Sequence, residues 1–282
     1  MRILTLIENT TSNKKLRHEH GLSFYVEFGG KKILIDTGSS DRFIKNAARM
    51  RVNLKELDAA IISHNHYDHT GGLESLFKLS PDIKVFAKRD VAGDYYLKLG
   101  LFNFTVCWNK HFINRRRKNF VLFNQFQEVC EGFYVMGCEV DDDKYVLRDK
   151  RLLKRENGRY APDDFKHEIF AVAFPKKDRE KGCVVISSCS HSGIVNILRT
   201  VRETWVNSPI LGVVGGFHLN LPARLMPLDT GAFMKNVAEQ ISELSAGCVY
   251  TCHCTGKKAY ERLKERMGDQ IQYLRTGEEL VF

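Results

Sequence analysis

The chain has 282 residues, 43% of them hydrophobic and 27% charged, a composition typical of a soluble globular protein. It has no run of about 18 apolar residues, which excludes a membrane-spanning helix, and its N-terminal apolar run is too short for a signal peptide, so we expect a cytoplasmic protein with no membrane partner. The net charge of +9 favours an anionic partner such as a phosphorylated small molecule, whereas the short basic runs indicate solvated faces and argue against nucleic acid.

The N-terminal part of the sequence predicts strands first and helices later. Two strand-like runs joined by Gly29-Gly30 predict a β-hairpin. A short buried strand then leads directly into a group of histidines. In chain order the predicted elements are strands over 1–9, 22–28 and 31–36, a helix over 41–50, a strand over 59–63, a helix from Thr70 to about 79, and a strand over 83–87.

Residues 88–160 are rich in aromatic side chains and show no clear period of 2 or 3.6. We interpret this segment as an insertion that covers the functional site. The alternative is a structural insertion with a small core of its own.

Strands and helices alternate in the remaining sequence. Strands are predicted over 168–174, 183–187, 210–215 and 248–251, and helices over 193–206, 230–244 and 257–267. Hairpins followed by strand–helix alternation are typical of sheets covered by helices, so we predict an α/β fold. The length allows one large domain or two small ones, and we predict a single domain over residues 1–282. The oligomeric state stays open, and a dimer is compatible with the sequence.

A candidate metal site follows the strand at 59–63. The sequence His64-Asn65-His66-Tyr67-Asp68-His69 places four ligands within six residues, and imidazole with carboxylate suits zinc, iron or manganese. His64 and His66 can serve one metal ion while Asp68 and His69 serve a second. We expect Gly71-Gly72 to allow a tight backbone turn into the next helix. Because a chain of this length folds without a structural metal, the ligands indicate chemistry.

This segment resembles the first metal motif of the metallo-β-lactamase superfamily. The resemblance implies a four-layer αβ/βα sandwich with the site at the edge of two sheets. Asp36 in Asp36-Thr37-Gly38 resembles the superfamily aspartate that orients a metal-bound histidine. Further motifs resemble the branch named after 7,8-dihydropterin-6-yl-methyl-4-(β-D-ribofuranosyl)aminobenzene 5′-phosphate synthase, namely Glu19-His20-Gly21-Leu22-Ser23, Cys189-Ser190-His191-Ser192-Gly193, Gly215-Gly216-Phe217-His218-Leu219 and His253-Cys254-Thr255-Gly256.

The chain departs from the superfamily pattern at the bridging position. Most members supply a histidine, then an aspartate that bridges the two metals, then a final histidine; here Cys189 stands where the bridge is expected. The resemblance makes His191 the candidate third ligand of the first metal and His253 the last ligand of the second. A Cys189 thiolate would favour zinc, and Asp163 or Asp164 is the alternative bridge. The eight cysteines form no paired Cys-x-x-Cys pattern, so no zinc ribbon is expected.

Other polar residues have open roles. His218 follows Gly215-Gly216 at a strand end, where it could contact substrate, bind metal or be structural. His20, with Glu19, is a candidate substrate-pocket residue. Asp68 and His218 are the candidate catalytic residues.

The resemblance implies an enzyme with two divalent metal ions, zinc first and iron or manganese as alternatives. Our leading interpretation is an enzyme acting on a phosphorylated or diphosphorylated small molecule, in the branch reaction by transfer of a dihydropterin-methyl group to an arylamine ribose phosphate. The alternative is a hydrolase of a phosphoester or lactone. A di-iron redox protein is a third interpretation, against which His66 argues because those relatives carry a carboxylate there. A non-catalytic binding module is a fourth.

Overall fold

The computed structural model describes residues 1–108, 110–176, 178–222, 225–227, 229–245 and 247–282, and the chain divides into two compact units. The first unit comprises residues 1–129, 150–169 and 275–281, and the second comprises 130–149, 170–274 and 282. Strands and helices occur in both units, so the predicted α/β class is confirmed. The predicted αβ/βα layering and the single domain stay predictions.

The strands run in chain order as β1 (Arg2–Ile7), β2 (Ser23–Phe28), β3 (Lys31–Ile35), β4 (Ala59–Ile61), β5 (Lys84–Lys88), β6 (Asp94–Leu99), β7 (Phe102–Thr105), β8 (Phe120–Phe123), β9 (Phe126–Cys130), β10 (Phe133–Met136), β11 (Leu152–Glu156), β12 (Arg159–Pro162), β13 (Phe170–Ala173), β14 (Cys183–Ser187), β15 (Ile210–Gly215), β16 (Cys248–Thr251), β17 (Ile271–Tyr273) and β18 (Glu279–Val281). The helices are α1 (Arg42–Arg49), α2 (Tyr67–Thr70), α3 (Leu73–Leu79), α4 (Lys110–Arg115), α5 (Ile194–Thr204), α6 (Thr230–Leu244) and α7 (Lys257–Met267). Each strand and helix predicted outside residues 88–160 is confirmed, with bounds that shift by a few residues. The sequence did not indicate β17 and β18.

The first unit contains a seven-stranded sheet in the order β18-β1-β2-β3-β4-β5-β8. Its first four strands are antiparallel, and β3, β4, β5 and β8 are parallel neighbours. The apolar face of the sheet packs against α1 and α3, where Phe43, Ala47 and Phe77 are buried. Helical spacing places Phe43 and Ala47 on one face of α1, which explains why that face turns to the sheet.

Strands from residues 88–160 lie in three sheets. β8 extends the large sheet of the first unit, whereas β6, β7, β11 and β12 form a separate four-stranded sheet in the order β12-β11-β6-β7. β10 belongs to the second unit, where it pairs with β13. Whether this segment covers the site stays a prediction.

The second unit has six strands in the order β17-β16-β15-β14-β13-β10. β14, β15, β16 and β17 are parallel, so their carboxyl ends meet at the same edge of the sheet. Its core joins apolar residues of these strands with α5, α6 and α7, for example Val185, Leu198 and Leu263. Among the described residues, no helix is both long and apolar enough to cross a bilayer.

Candidate metal centre

The four predicted ligands of the histidine motif lie in one buried segment. His64 and His66 follow β4, and Asp68 and His69 lie on α2. His64 and His69 are fully buried, and the other two are 7% exposed. The ring of His64 has its centroid 4.7 Å from that of His66 and 4.2 Å from that of His69. Three imidazoles and one carboxylate therefore share a small buried volume.

Asp36 lies next to this segment because β3 and β4 are parallel neighbours, with Ile35 opposite Ile61. Its Oδ1 accepts a hydrogen bond from the backbone N–H of Ser63 at 2.8 Å, and its Oδ2 accepts one from Ser63 Oγ at 2.6 Å. The same Oδ2 lies 2.7 Å from His69 Nδ1. A carboxylate accepts hydrogen bonds, so Nδ1 of His69 carries the proton and Nε2 keeps the lone pair.

Ser63 extends the same arrangement to His64. Because its hydroxyl donates to Asp36, its oxygen accepts from His64 Nδ1, which lies 2.9 Å away. The proton on His64 is thereby assigned to Nδ1, and Nε2 again keeps the lone pair. One buried carboxylate thus orients two candidate ligands.

Burial favours the neutral form of two imidazoles of this motif, those of His66 and His64. It lowers the pKa of His66 from 6.5 to about 3, although the charge of Asp68 opposes the shift. Burial also lowers the pKa of His64 well below its ordinary value, and His69 and His66 add to the effect. Neutral imidazole is the form that binds metal ions, so no proton has to be removed near neutral pH.

The candidate pocket residue His20 contacts Asp68. Its Nε2 lies 3.2 Å from Asp68 Oδ2, and its side chain is 59% exposed. The same Oδ2 lies 3.6 Å from His69 Nε2. Glu19 points elsewhere, because its carboxylate accepts hydrogen bonds from the backbone N–H groups of Ser39 and Ser40.

Sequence reasoning missed His167, which lies beside His66. Its Nδ1 accepts the backbone N–H of Asn65 at 3.1 Å, and its Nε2 lies 3.1 Å from Asp163 Oδ2. The ring also stacks on Tyr95 with 3.9 Å between centroids. Asp163 is therefore paired with a histidine, and Asp163-x-x-x-His167 ahead of a buried strand is the signal that could have identified both.

Gly71 and Gly72 do not have the role that the sequence suggested. Their φ angles are −60° and −83°, which any residue adopts, so the predicted reason is wrong. A Cβ at Gly71 would instead collide with the carbonyl oxygen of Ser39, and one at Gly72 with that of Thr37. These glycines are needed because the 37–40 loop packs directly on the helix.

In the second unit, the remaining candidates follow three adjacent parallel strands. Cys189 and His191 come after β14, His218 after β15 and His253 after β16. Parallel order places these residues at one sheet edge. The rings of His191 and His218 have centroids 4.1 Å apart, and His218 Nε2 is buried with no hydrogen-bond partner among the described residues.

Left-handed backbone marks both strand-end regions. Asp36 has φ of 59°, Ser190 of 57°, and His218 and His253 of 49° each. Non-glycine residues seldom adopt this conformation, which costs free energy and concentrates at functional sites. The same positions that carry the candidate side chains therefore also carry backbone strain.

Cys254 was not among the predicted site residues. Its Sγ accepts the backbone N–H of His218 at 3.2 Å and contacts the carbonyl oxygen of Cys189 at 3.4 Å. Burial raises the pKa of Cys254, but interactions with Cys189 and His218 outweigh it and hold that pKa well below its ordinary value. When deprotonated, the Cys254 sulfur would add a soft donor of the kind that zinc accepts.

The donor set fits divalent metal ions. The first unit supplies imidazoles and a carboxylate, which suit zinc, iron and manganese, and the second unit supplies imidazoles and thiol groups, which suit zinc. Asp36 supplies the outer hydrogen bonds that such histidine ligands need. The chemistry of the residues present is therefore that of a metal centre.

Comparison with known proteins adds relatives to this description. A profile of the metallo-β-lactamase superfamily matches residues 16–90. The chain is 29% identical to a Methanocaldococcus jannaschii protein named 7,8-dihydropterin-6-methyl-4-(β-D-ribofuranosyl)-aminobenzene-5′-phosphate synthase, and the match covers 100% of this chain and 97% of that protein. It is also 26% identical, over 93% of this chain and 94% of the other, to an uncharacterized protein of the same organism.

A solved structure gives a similar result. It is described as a metal-dependent hydrolase of the β-lactamase superfamily, is 29% identical and has a TM-score of 0.79. The match covers 100% of this chain and 99% of the other. The similarity thus extends over both units of the fold.

Proposed function

We propose that this chain is a metal-dependent enzyme of the metallo-β-lactamase superfamily that acts on a phosphorylated or diphosphorylated small molecule. The proposed reaction transfers a dihydropterin-methyl group to an arylamine ribose phosphate. One observation carries this choice: the 29% identity to the M. jannaschii synthase runs through 100% of this chain and 97% of that protein.

The proposed metal ligands of the first unit are His64, His66, Asp68 and His69. Sequence resemblance adds His191 and His253, with Cys189 in place of the bridging aspartate. When bound, two divalent ions, zinc or alternatively iron or manganese, would neutralise negative charge on a departing diphosphate.

The chain's own residues orient the ligands and bind the substrate. Asp36 holds His69, and through Ser63 also His64, with Nε2 as the lone-pair nitrogen. Asp68 and His218 are the proposed catalytic residues. In the proposed transfer the bond from the pterin methyl carbon to diphosphate breaks, the arylamine takes its place and a proton leaves. His218 Nε2 is buried and has no hydrogen-bond partner among the described residues, which suits contact with a substrate group.

The test is the transfer itself. Metal-loaded protein is incubated with dihydropterin-methyl diphosphate, with and without the arylamine ribose phosphate, and diphosphate release is followed. We expect release that depends on the arylamine. His66→Ala/Asp68→Ala should abolish it, whereas the exposed pair His18→Ala/Asp82→Ala should retain it. Turnover that survives in the first variant contradicts the proposal.

A hydrolase is the second candidate, because the solved structure with TM-score 0.79 is described as a metal-dependent hydrolase. The same metal-loaded protein is therefore incubated with bis-p-nitrophenyl phosphate and with a simple lactone. Fast water-dependent turnover, together with diphosphate release that does not need the arylamine, would favour hydrolysis over transfer.

A further inference from the structure

The second unit contains a cavity outside the strand-end residues described above. It has a volume of about 470 Å³ and lies among the first turns of α6 and α7 and the segment after β15. Small-molecule sites commonly have volumes of about 300–1,000 Å³. The cavity is thus large enough for one small organic molecule.

The walls of the cavity combine two chemistries. Leu219, Leu221, Met226 and Met234 provide apolar surface, and three cationic side chains, those of Lys257, Lys258 and Arg262, line the α7 side. None of the three cations is ion-paired with an acidic side chain of the described residues. Three cations that line one cavity without an ion-pair partner in the described part of the chain favour an anionic occupant.

Hydrogen bonds hold the wall formed by the segment after β15. The backbone N–H of Asn220 donates to the carbonyl oxygen of Cys254 at 3.1 Å, and that of Phe217 donates to Thr255 Oγ1 at 2.8 Å. Gly256 has φ of +70°, and a Cβ there would lie 2.7 Å from Asn220 Cγ. The segment after β15 is therefore held against the turn that precedes α7 by hydrogen bonds and close packing.

We propose that this cavity binds an organic phosphate, with the phosphate against Lys257, Lys258 and Arg262 and an apolar ring against Met226 and Met234. Inorganic phosphate would leave the apolar wall unused, and an uncharged ring would leave the cations unpaired. The inference rests on the proposed function, since it supplies a binding place for the phosphorylated end of that substrate. Arginine and lysine both bind phosphate through charge-assisted hydrogen bonds.

The test uses phenyl phosphate as the probe, with inorganic phosphate and phenol for comparison. Binding to the full-length, metal-loaded protein is measured by calorimetry. We expect phenyl phosphate to bind more tightly than either part alone. Arg262→Gln should raise its Kd at least tenfold, and Arg266→Gln, which removes the same charge from the same helix outside the cavity, should change it less than twofold.

Each outcome of this experiment either supports or contradicts phosphate binding in the cavity. An equal effect of the two arginine variants, or no binding of phenyl phosphate at millimolar concentration, overturns the inference. Binding lost in His66→Ala but kept in Arg262→Gln places the phosphate at the histidine motif; it overturns the cavity site and leaves the proposed function standing. Conversely, loss of binding in Arg262→Gln with no transferase activity in the wild type supports the cavity and contradicts the proposed function. If Arg262→Gln does not fold, Lys257→Gln/Lys258→Gln at exposed positions provides the same test.

Discussion

Replacing Asp36 by Asn exchanges one acceptor oxygen for an NH2 donor and removes the negative charge, with little change in the size of the side chain. The carboxylate is fully buried and accepts three hydrogen bonds, from Ser63 N, Ser63 Oγ and His69 Nδ1. An amide has one oxygen and one NH2 group, so in Asn the NH2 group must face at least one of these three hydrogen-bond donors. If the NH2 faces Ser63 N, two N–H groups oppose each other. If it faces His69, that ring must move its proton to Nε2, which removes the lone pair meant for a metal.

The magnitude follows from these contacts. A hydrogen bond to a charged group contributes about 1.5–3 kcal/mol, and 1.4 kcal/mol corresponds to a factor of ten. Loss of one such bond therefore predicts a metal affinity that is weaker by about 10- to 100-fold, which agrees with the usual cost of disturbing the hydrogen-bond partner of a metal ligand.

Zinc affinity is measured by competition with a chromophoric chelator, for the wild type, Asp36→Asn and Asp58→Asn. Asp58 pairs with Lys31 at the surface of the same unit, so it is the matched control and should leave the affinity unchanged. Thermal unfolding in EDTA shows whether the variant folds. If folded Asp36→Asn binds zinc as tightly as Asp58→Asn, Asp36 does not orient a metal ligand and the reasoning fails.

Three further predictions concern stability. The pKa of His66 falls from 6.5 to about 3 on folding, so between these values the unfolded chain binds a proton that the folded chain does not bind. The contribution of neutral His66 to the free energy of unfolding is therefore complete above pH 6.5 and is lost as the pH falls towards 3. Between pH 7 and 5, His66 should lower the free energy of unfolding of the metal-free protein by about 2 kcal/mol, as measured by urea denaturation. If His66→Gln shows the same pH dependence as the wild type, His66 is not its source. His167→Phe retains an aromatic ring but removes the imidazole nitrogen that contacts the buried Asp163 carboxylate. The free energy of unfolding should therefore fall by about 1–3 kcal/mol, and an unchanged urea midpoint would refute this prediction. Gly71→Ala should destabilise the protein because its Cβ meets backbone, whereas Gly231→Ala, in a helix with room for a Cβ, should stabilise it by up to about 1 kcal/mol; equal thermal midpoints would contradict the packing argument.

Local sequence patterns determined most of the elements. Alternation and apolar runs predicted the hairpin of β2 and β3 and the strands β14, β15 and β16, because side-chain direction in a strand depends on immediate neighbours. The spacing of His64, His66, Asp68 and His69 was sufficient to predict a compact ligand group, since the six residues cannot separate far along the chain.

Pairing between distant segments was not readable in the same way. The segment 88–160 has no periodicity that distinguishes β8, which joins one large sheet, from β6 and β11, which form a small one. The sheet that each of these strands joins depends on which backbone segment lies beside it, and the tertiary fold determines that neighbour. The short strands β17 and β18 were missed for the same reason.

Within the site, the sequence alone determined the identity of the candidate ligands, and the tertiary structure decided what orients them. Asp36 was expected to contact a histidine, but only the parallel pairing of β3 and β4 shows that one carboxylate serves His69 directly and His64 through Ser63. His167 lies 102 residues after Asn65, the residue whose backbone it binds. Hydrogen bonds between residues so far apart in the chain leave no local pattern, because only folding brings their donors and acceptors together.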